Sequence, residues 1–171
     1  MLSIKPAKAS DSGAIADLLE EMDRFYGSTE FDPIEKRISA ITAMLFGESS
    51  VAHALLCHDG GELVGLASYS FLWPAKGLTC SLFLKELYVR QDRRGQGVGK
   101  LLMQEIGRIA IAKECSRVEW MTELDNRDAQ GFYAAFYASP RSGKVFYRLE
   151  DKEIHRLTGD TPTSSSHDEA G

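Results

Sequence analysis

Hydrophobic positions recur along this chain with two different spacings, which separate its helices from its strands. In residues 13–26 the apolar side chains return every three or four positions, which is the spacing of a helix with one buried face. Ile34–Phe46 repeats this spacing and stops at Gly47, and residues 99–113 repeat it again. The pattern therefore predicts three amphipathic helices, followed by a shorter fourth helix over residues 129–138.

Short apolar or alternating runs fall between these helices and predict strands. The predicted strands cover residues 3–6, 51–57, 62–71, 78–89, 117–122 and 144–149. The turn His58-Asp59-Gly60-Gly61 is a hairpin signal, so we expect the second and third strands to pair antiparallel. The order of elements predicts an α/β fold with a central mixed, mostly antiparallel sheet of six to seven strands and helices on both faces.

Composition describes an ordinary globular protein and argues against two classes of partner. The 171 residues, 43% hydrophobic and 26% charged, suit one domain, which we assign to residues 1–150. Residues 151–171 are polar, so we expect a disordered tail there. A net charge of −5 gives no attraction to nucleic acid or to an anionic membrane, and no apolar run reaches the roughly 18 residues of a membrane span. We therefore expect neither partner.

The cysteines bear on metal binding and on the cellular compartment. Cys57, Cys80 and Cys115 stand singly, without the paired spacing of zinc sites and disulfide frameworks. They predict that the chain binds no metal and works in a reducing, cytoplasmic environment. The N-terminal segment also lacks the apolar core of a signal peptide.

Residues 84–102 hold the candidate chemistry of the chain. A predicted strand runs into a charged turn, and Gly95, Gly97 and Gly99 then alternate at the start of a predicted helix. Such a turn directs the N–H groups of a helix N-terminus at an anion, and glycine lets a phosphate approach the backbone closely. The same stretch carries three cations, Arg93, Arg94 and Lys100. The segment therefore predicts a diphosphate site.

The glycine spacing distinguishes between classes of phosphate ligand. Gly99-Lys100 is followed by Leu101 and not by the Ser or Thr of a P-loop, and the spacing of the dinucleotide fingerprint is absent. The pattern Arg94-x-x-Gly97-x-Gly99 instead resembles the motif of the GCN5-related N-acetyltransferases, the GNAT family, in which the pyrophosphate of acetyl-CoA binds on this turn. The resemblance implies a GNAT fold, with acetyl-CoA as co-substrate.

The resemblance also implies which residues hold the cofactor. In the family, the strand before the turn splays from its neighbour, and its free backbone N–H groups bind the pantetheine arm and the acetyl carbonyl. By position, these strand residues are Leu87, Tyr88 and Val89. The other implied cofactor residues are Arg94, Gly95, Gln96, Gly97, Val98, Gly99, Lys100, Asn126 and Ala129.

A second signature, residues 126–133, supplies a candidate general acid. Its sequence NRDAQGFY resembles the family's Asn-x-x-Ala-x-x-Phe-Tyr segment, whose tyrosine donates a proton to the CoA sulfur. Tyr133 has that position, and Tyr137 is the alternative one helical turn later. The competing interpretation of Tyr133 is an aromatic side chain packed on the core.

Glu86 is the candidate general base. Related sequences often carry Glu-Asp at this place, whereas this chain has Lys85-Glu86. Because successive side chains of a strand alternate, we expect Lys85 and Glu86 on opposite faces. Glu86 is either the group that accepts the amine's proton or a structural partner, and Lys85 departs from the family pattern.

The acceptor pocket of the family has the first two helices as one wall. We expect Tyr26 and Glu30, at the break between these helices, to contact the acceptor together with Glu86. A solvated helix face and loop is the alternative interpretation of these acidic positions. Residues 65–77 and 87–102 are similar to diamine acetyltransferases of the spermidine/spermine type, which also acetylate thialysine.

These features together predict an enzyme. It transfers acetyl from acetyl-CoA to a small primary amine (a polyamine, a diamine or an amino-acid-like amine) by direct attack in a ternary complex. Homodimers are common in the family, so we expect a homodimer. The alternatives are acetylation of a protein or peptide amine, acetylation of an amine antibiotic, and a non-catalytic acyl-CoA sensor.

Overall fold

The computed structural model of the protein describes residues 1–136, 138, 140–141, 143, 145–150 and 152–157. The strands in these residues are β1 (Leu2–Pro6), β2 (His53–Asp59), β3 (Glu62–Leu72), β4 (Ser81–Val89) and β5 (Arg117–Trp120). The α-helices are α1 (Ser12–Phe25), α2 (Ile34–Phe46), α3 (Val98–Ala112), α4 (Arg127–Ala134) and α5 (Lys152–Arg156). The chain divides into two compact units, Met1–Glu123 and a second that begins at Leu124.

The sheet of the first unit follows the order of the sequence, β1-β2-β3-β4-β5. The first four strands pair antiparallel, as expected for strands joined by hairpins and short connections, and β5 pairs parallel to β4 after the crossover through α3. The predicted mixed, mostly antiparallel sheet is therefore confirmed.

Helices cover both faces of this sheet, as predicted. α1 buries Ile15, Leu18 and Met22 against one face. The sheet residues of that cluster are Ala54, Leu56, Leu66 and Tyr88. α3 covers the other face, where side chains of its first turns lie directly above Gly65 of β3. Side chains of a strand alternate between faces, which explains why the runs in β2 and β3 are apolar on both sides.

α2 packs beside α1 and leaves the sheet to it. Arg37 of α2 donates from Nη1 to the carbonyl oxygen of Ala16 at 2.9 Å and pairs with Glu20 at 2.5 Å. Thr42 Oγ1 contacts Ser12 Oγ at 3.0 Å, which ties the second helix to the start of the first. These polar contacts fix the angle at which the two helices leave their connection, residues 26–33.

The number of strands was predicted too high. Five strands are present in the described part of the chain, not six to seven. Lys144, in the predicted last strand, lies outside the described residues, and residues 145–149 carry no strand. Val145, Phe146 and Tyr147 are largely exposed. An alternating aromatic run forms a strand only where its backbone finds a pairing partner, and the sequence pattern alone does not supply one.

Two further observations concern membranes and the C-terminal segment. None of the helices in the described residues is both long and apolar enough to cross a membrane. The predicted tail, 151–171, contains α5, whereas residues 151 and 158–171 lie outside the described part of the chain. The assignment of 1–150 to one domain stays a prediction.

Candidate cofactor and active site

The glycine turn before α3 has the conformation that its sequence requires. Gly95 and Gly97 have φ values of 74° and 86°, in the left-handed region that favours glycine. Gly97 caps α3 without a side chain, and the first helical hydrogen bond runs from Leu101 N–H to Gly97 O at 3.0 Å. The N–H groups of the first turn, residues 98–100, therefore have no acceptor in the helix, and together they make an anion-binding N-terminus.

Arg94 is fixed beside this turn. Its Nε donates to the Val89 carbonyl oxygen at 3.1 Å, and its guanidinium lies 4.3 Å from the ring centre of Phe25 in α1. These contacts engage Nε and one face of the guanidinium. Gln96 stabilises the same loop, since its Nε2 donates to the carbonyl oxygen of Asp92 at 3.1 Å.

Arg93 does not add its charge to the turn as expected. It pairs with Asp59 at 3.5 Å and with Glu62 at 2.7 Å, on the hairpin between β2 and β3. Arg90 pairs with Glu62 as well and with Glu21 of α1 at 3.5 Å. The hairpin acids thus hold the strand-to-helix loop by its arginines, and this part of the expected positive charge is neutralised.

Gly65 is a residue of the site that the sequence analysis missed. A Cβ at this position would lie 2.8 Å from Val98 Cγ1 and 3.1 Å from the Tyr88 carbonyl oxygen. The start of α3, which carries the cradle of N–H groups, therefore approaches the sheet at a distance that only glycine permits. The available signal was a glycine in the interior of a predicted strand.

β4 extends past its pairing with β5. The ladder between the two strands ends at Leu84 and Trp120, while β4 continues to Val89. Within the described residues, the last part of β4 therefore pairs with β3 alone. This is the splayed strand that the resemblance implies.

The direction of each β4 peptide follows from one hydrogen bond. Arg90 N–H donates to Val64 O at 3.1 Å, so by alternation Tyr88 directs its backbone groups to β3, whereas Leu87 and Val89 direct theirs to the other side. The bond from Arg94 Nε to Val89 O agrees with this direction. The expected set of three backbone donors narrows to Leu87 and Val89.

Tyr88 contributes a buried side chain to the core. It is 2% exposed, and its hydroxyl donates to Glu21 Oε1 at 3.0 Å. Burial, reinforced by the carboxylate of Glu21, raises the pKa of Tyr88 to about 12. The phenol therefore stays protonated and serves as a fixed donor between β4 and α1.

A β-bulge at Lys85 reverses the alternation of β4. Glu86 pairs with Ser68 and Leu84 with Tyr69, which leaves Lys85 as the extra residue. Leu84 thus faces α3, while Glu86 faces α1. The expectation that Lys85 and Glu86 point to opposite faces is wrong, because Lys85 Nζ contacts Glu86 Oε1 at 3.1 Å.

The expected acceptor residues lie at the α1 end of the first unit. Tyr26 follows the last residue of α1, with its ring edge-on to Phe25 at 5.2 Å and 63% exposed. Glu30 is exposed in the connection to α2. Glu86, about one-third exposed, lies on the α1 face of the sheet.

The second unit contains the remaining candidates. Asn126 caps α4, and its side-chain oxygen accepts from Ala129 N–H at 3.1 Å. Tyr133 lies in the same helix, half-buried, with its ring 5.2 Å from that of Phe132. The alternative acid, Tyr137, lies outside the described residues.

The cavities of the first unit do not contain these candidates. A cavity of about 590 Å³ lies on the α3 face, at the end of α3 far from the glycine turn. Its lining consists of His53, Tyr69, Phe71, Cys80, Ile109 and Lys113. A smaller cavity of about 200 Å³ lies between α1 and Arg90. The cradle is an open surface and not a closed pocket.

Metal and thiol chemistry find little support in the described residues. No group of three or more metal-binding side chains comes together there. Cys57 is fully buried, and this burial, together with nearby Asp59, raises the pKa of its thiol. Such a thiol is a poor nucleophile.

A family model described as the acetyltransferase (GNAT) family matches residues 15–136, which include the cradle, Glu86 and Tyr133. The chain belongs to the GNAT acetyltransferase family. This GNAT enzyme is 28% identical to the thialysine N-epsilon-acetyltransferase of Bos taurus, over 91% of this chain and 96% of that protein.

Solved structures agree with the GNAT fold. An integron cassette protein of V. cholerae has a TM-score of 0.86 and 26% identity to this chain, covering 93% of it and 98% of the other chain. An aminoglycoside N-acetyltransferase in complex with CoA has a TM-score of 0.70 and 18% identity, covering 88% and 96%. At that identity the second likeness shows the fold alone.

Proposed function

We propose that this GNAT acetyltransferase uses acetyl-CoA as donor and acetylates a small primary amine, in a ternary complex without an acetyl-enzyme. The observation that carries the proposal is the cradle at Gly97, where three unpaired N–H groups of α3 adjoin Arg94. A diphosphate matches this combination of helix N-terminus and guanidinium. The printed name of the Bos taurus relative, a thialysine acetyltransferase, supports an acceptor with a side-chain amine.

The unpaired side of β4 suits the rest of the donor. The pantetheine arm contains amides that hydrogen-bond to a strand edge, and Leu87 and Val89 offer their backbone groups on that side. As the amine attacks, negative charge develops on the acetyl oxygen, and a backbone N–H at this place stabilises it. We assign this role to Leu87 or Val89, with Asn126 and Ala129 as further cofactor contacts.

The proton balance of the reaction defines the roles of two side chains. The acceptor arrives as an ammonium ion and must lose a proton before its nitrogen forms a bond to the acetyl carbon. Glu86 accepts this proton, directly or through water. The bond between carbon and sulfur then breaks, and the thiolate of CoA takes the proton of the Tyr133 hydroxyl. Tyr26 and Glu30 bind the distal part of the acceptor.

The assembly and compartment are proposed with less detail. Isolated cysteines suit a reducing compartment, and homodimers are common among GNAT enzymes, so we propose a cytoplasmic homodimer. Light scattering of the purified protein at micromolar concentration tests the dimer, and a monomer mass would contradict it.

The test of the proposed function is a CoA-release assay against a panel of acceptors. The panel contains diamines, polyamines, lysine-like amino acids, lysine peptides and amine antibiotics, each with acetyl-CoA. We expect turnover with small amines and little with peptides. Turnover restricted to peptides or antibiotics would select one of the alternatives, and tight CoA binding without any turnover would favour a sensor.

Replacement of Tyr133 by Phe tests the general acid. The hydroxyl acts only when the thiolate leaves, so we expect kcat to fall by about 10²-fold while the KM for acetyl-CoA changes little. Tyr147→Phe in the same unit, at an exposed position, is the control and should behave as wild type. A Tyr133→Phe variant with wild-type kcat would remove the assignment.

A further inference from the structure

The bulge in β4 brings a cation into contact with the proposed general base. Without the extra residue, strand alternation would separate Lys85 from Glu86. In the structure the Lys85 ammonium lies 3.1 Å from Glu86 Oε1, at the point where β4 leaves β5. The side chain of Lys85 is 63% exposed and that of Glu86 is 36% exposed, so both reach solvent at this end of the strand.

The ion pair has a consequence for proton transfer. The Lys85 ammonium occupies a carboxylate oxygen that the acceptor's ammonium needs, so the two cations compete for Glu86. The neighbouring acid on β5 is already engaged, because Glu119 binds Arg117 at 2.9 Å and the Ser81 hydroxyl at 2.5 Å. A group that draws Lys85 away from Glu86 would therefore free the base.

A carboxylate on the acceptor is the group with this property. It pairs with the exposed Lys85 ammonium and lets the acceptor's own ammonium replace it at Glu86. A polyamine brings further positive charges into the same place and meets Lys85 with like charge, which disfavours it.

We infer that Lys85 determines acceptor specificity: it binds a carboxylate of the acceptor and so releases Glu86 to take the amine's proton. The acceptor class is therefore an amino acid with a side-chain amine and not a polyamine. This inference rests on the proposed function, since it assumes amine acetylation at Glu86.

Pairs of acceptors that differ only by the carboxylate test the inference. Lysine and cadaverine share the same carbon chain and primary amine, as do ornithine and putrescine. We expect the wild-type kcat/KM to be about tenfold or more higher for each amino acid than for its decarboxylated partner, mostly through KM. Lys85→Gln should bring this ratio close to one, Lys85→Glu should reverse it, and Lys85→Arg should retain it.

Lys113→Gln is the matched control, since this exposed lysine follows α3 at the far end from the glycine turn. It should keep the wild-type ratio. A wild-type ratio near one, or a ratio that Lys85→Gln leaves unchanged, would overturn the role of Lys85. Turnover of carboxylate-free amines alone would overturn the inference while the proposed function stands. Absence of turnover with every amine would instead overturn the proposed function, and the inference with it.

Discussion

At the scale of single residues, Gly65 controls how closely α3 approaches the sheet. The space above it is filled by Val98, the first residue of α3, and by the carbonyl oxygen of Tyr88. A glycine buried in a strand costs backbone entropy, and here that cost is offset by the placement of the helix N-terminus. Gly65 thus acts on cofactor binding through its neighbours.

Gly65→Ala should therefore affect both stability and cofactor binding. The new methyl group meets Val98 Cγ1 at 2.8 Å, so α3 must shift, and we expect a loss of about 1–3 kcal/mol in the free energy of unfolding and a higher KM for acetyl-CoA. Denaturant unfolding and steady-state kinetics measure the two effects.

Gly107→Ala is the matched control, because this glycine of α3 has nothing within 4 Å of an added Cβ. Alanine in a helix interior should raise stability by up to about 1 kcal/mol and leave the KM unchanged. If Gly65→Ala behaved in the same way, the spacing argument would fail.

The residues of the cradle were predictable because their signal is local. Gly97 and Arg94 belong to one short pattern whose conformation depends on adjacent residues. Gly65 and the true partners of Arg93 were not predictable, since both depend on contacts between segments far apart in sequence. A strand glycine is informative only once the helix above it is known.

At the scale of elements, the helices and strands of the first unit follow the periodicity of the sequence. α2 has the predicted bounds, and α1 and α3 differ from theirs by one residue at each end. The bulge in β4 escaped prediction, because apolar residues on both sides of it keep the strand pattern continuous while the faces exchange. The strand over residues 144–149 was predicted from composition alone and is absent in the described residues 145–149.

The turn before α3 is the element on which donor binding depends, and Gly97→Ala tests it. An L-residue at φ 86° is strained by about 1–2 kcal/mol, so the turn should relax and misdirect the N–H groups of residues 98–100. We expect CoA affinity, measured by calorimetry, to fall at least about tenfold.

Gly77→Ala introduces comparable strain, since Gly77 has φ 70° and open space around it, in the connection between β3 and β4. It should lose similar stability and keep its CoA affinity. Equal affinity losses in the two variants would mean that general destabilisation, and not the turn, explains the effect.

At the scale of the whole molecule, cofactor binding should contribute to stability. The cradle joins α3, β4 and, through Arg94 and Phe25, α1, so CoA contacts elements that are far apart in sequence. A ligand that binds only the folded state stabilises it by mass action.

CoA at 100 times its Kd should raise the free energy of unfolding by about 2.7 kcal/mol, which thermal and chemical denaturation both report. Adenosine lacks the diphosphate and should produce almost no shift at the same concentration. An equal shift with adenosine would place the dominant contacts outside the cradle.

The bulge also makes the length of β4 part of its chemistry. One extra residue, Lys85, is what turns Glu86 and Tyr88 toward α1 while Leu84 faces α3. Substitutions along this strand change single side chains, but a deletion of one residue there would exchange the faces of everything that follows, placing the carboxylate beneath α3 and apolar Leu87 on the acceptor side. Loops of this protein can gain or lose residues over time, whereas β4 is held to nine.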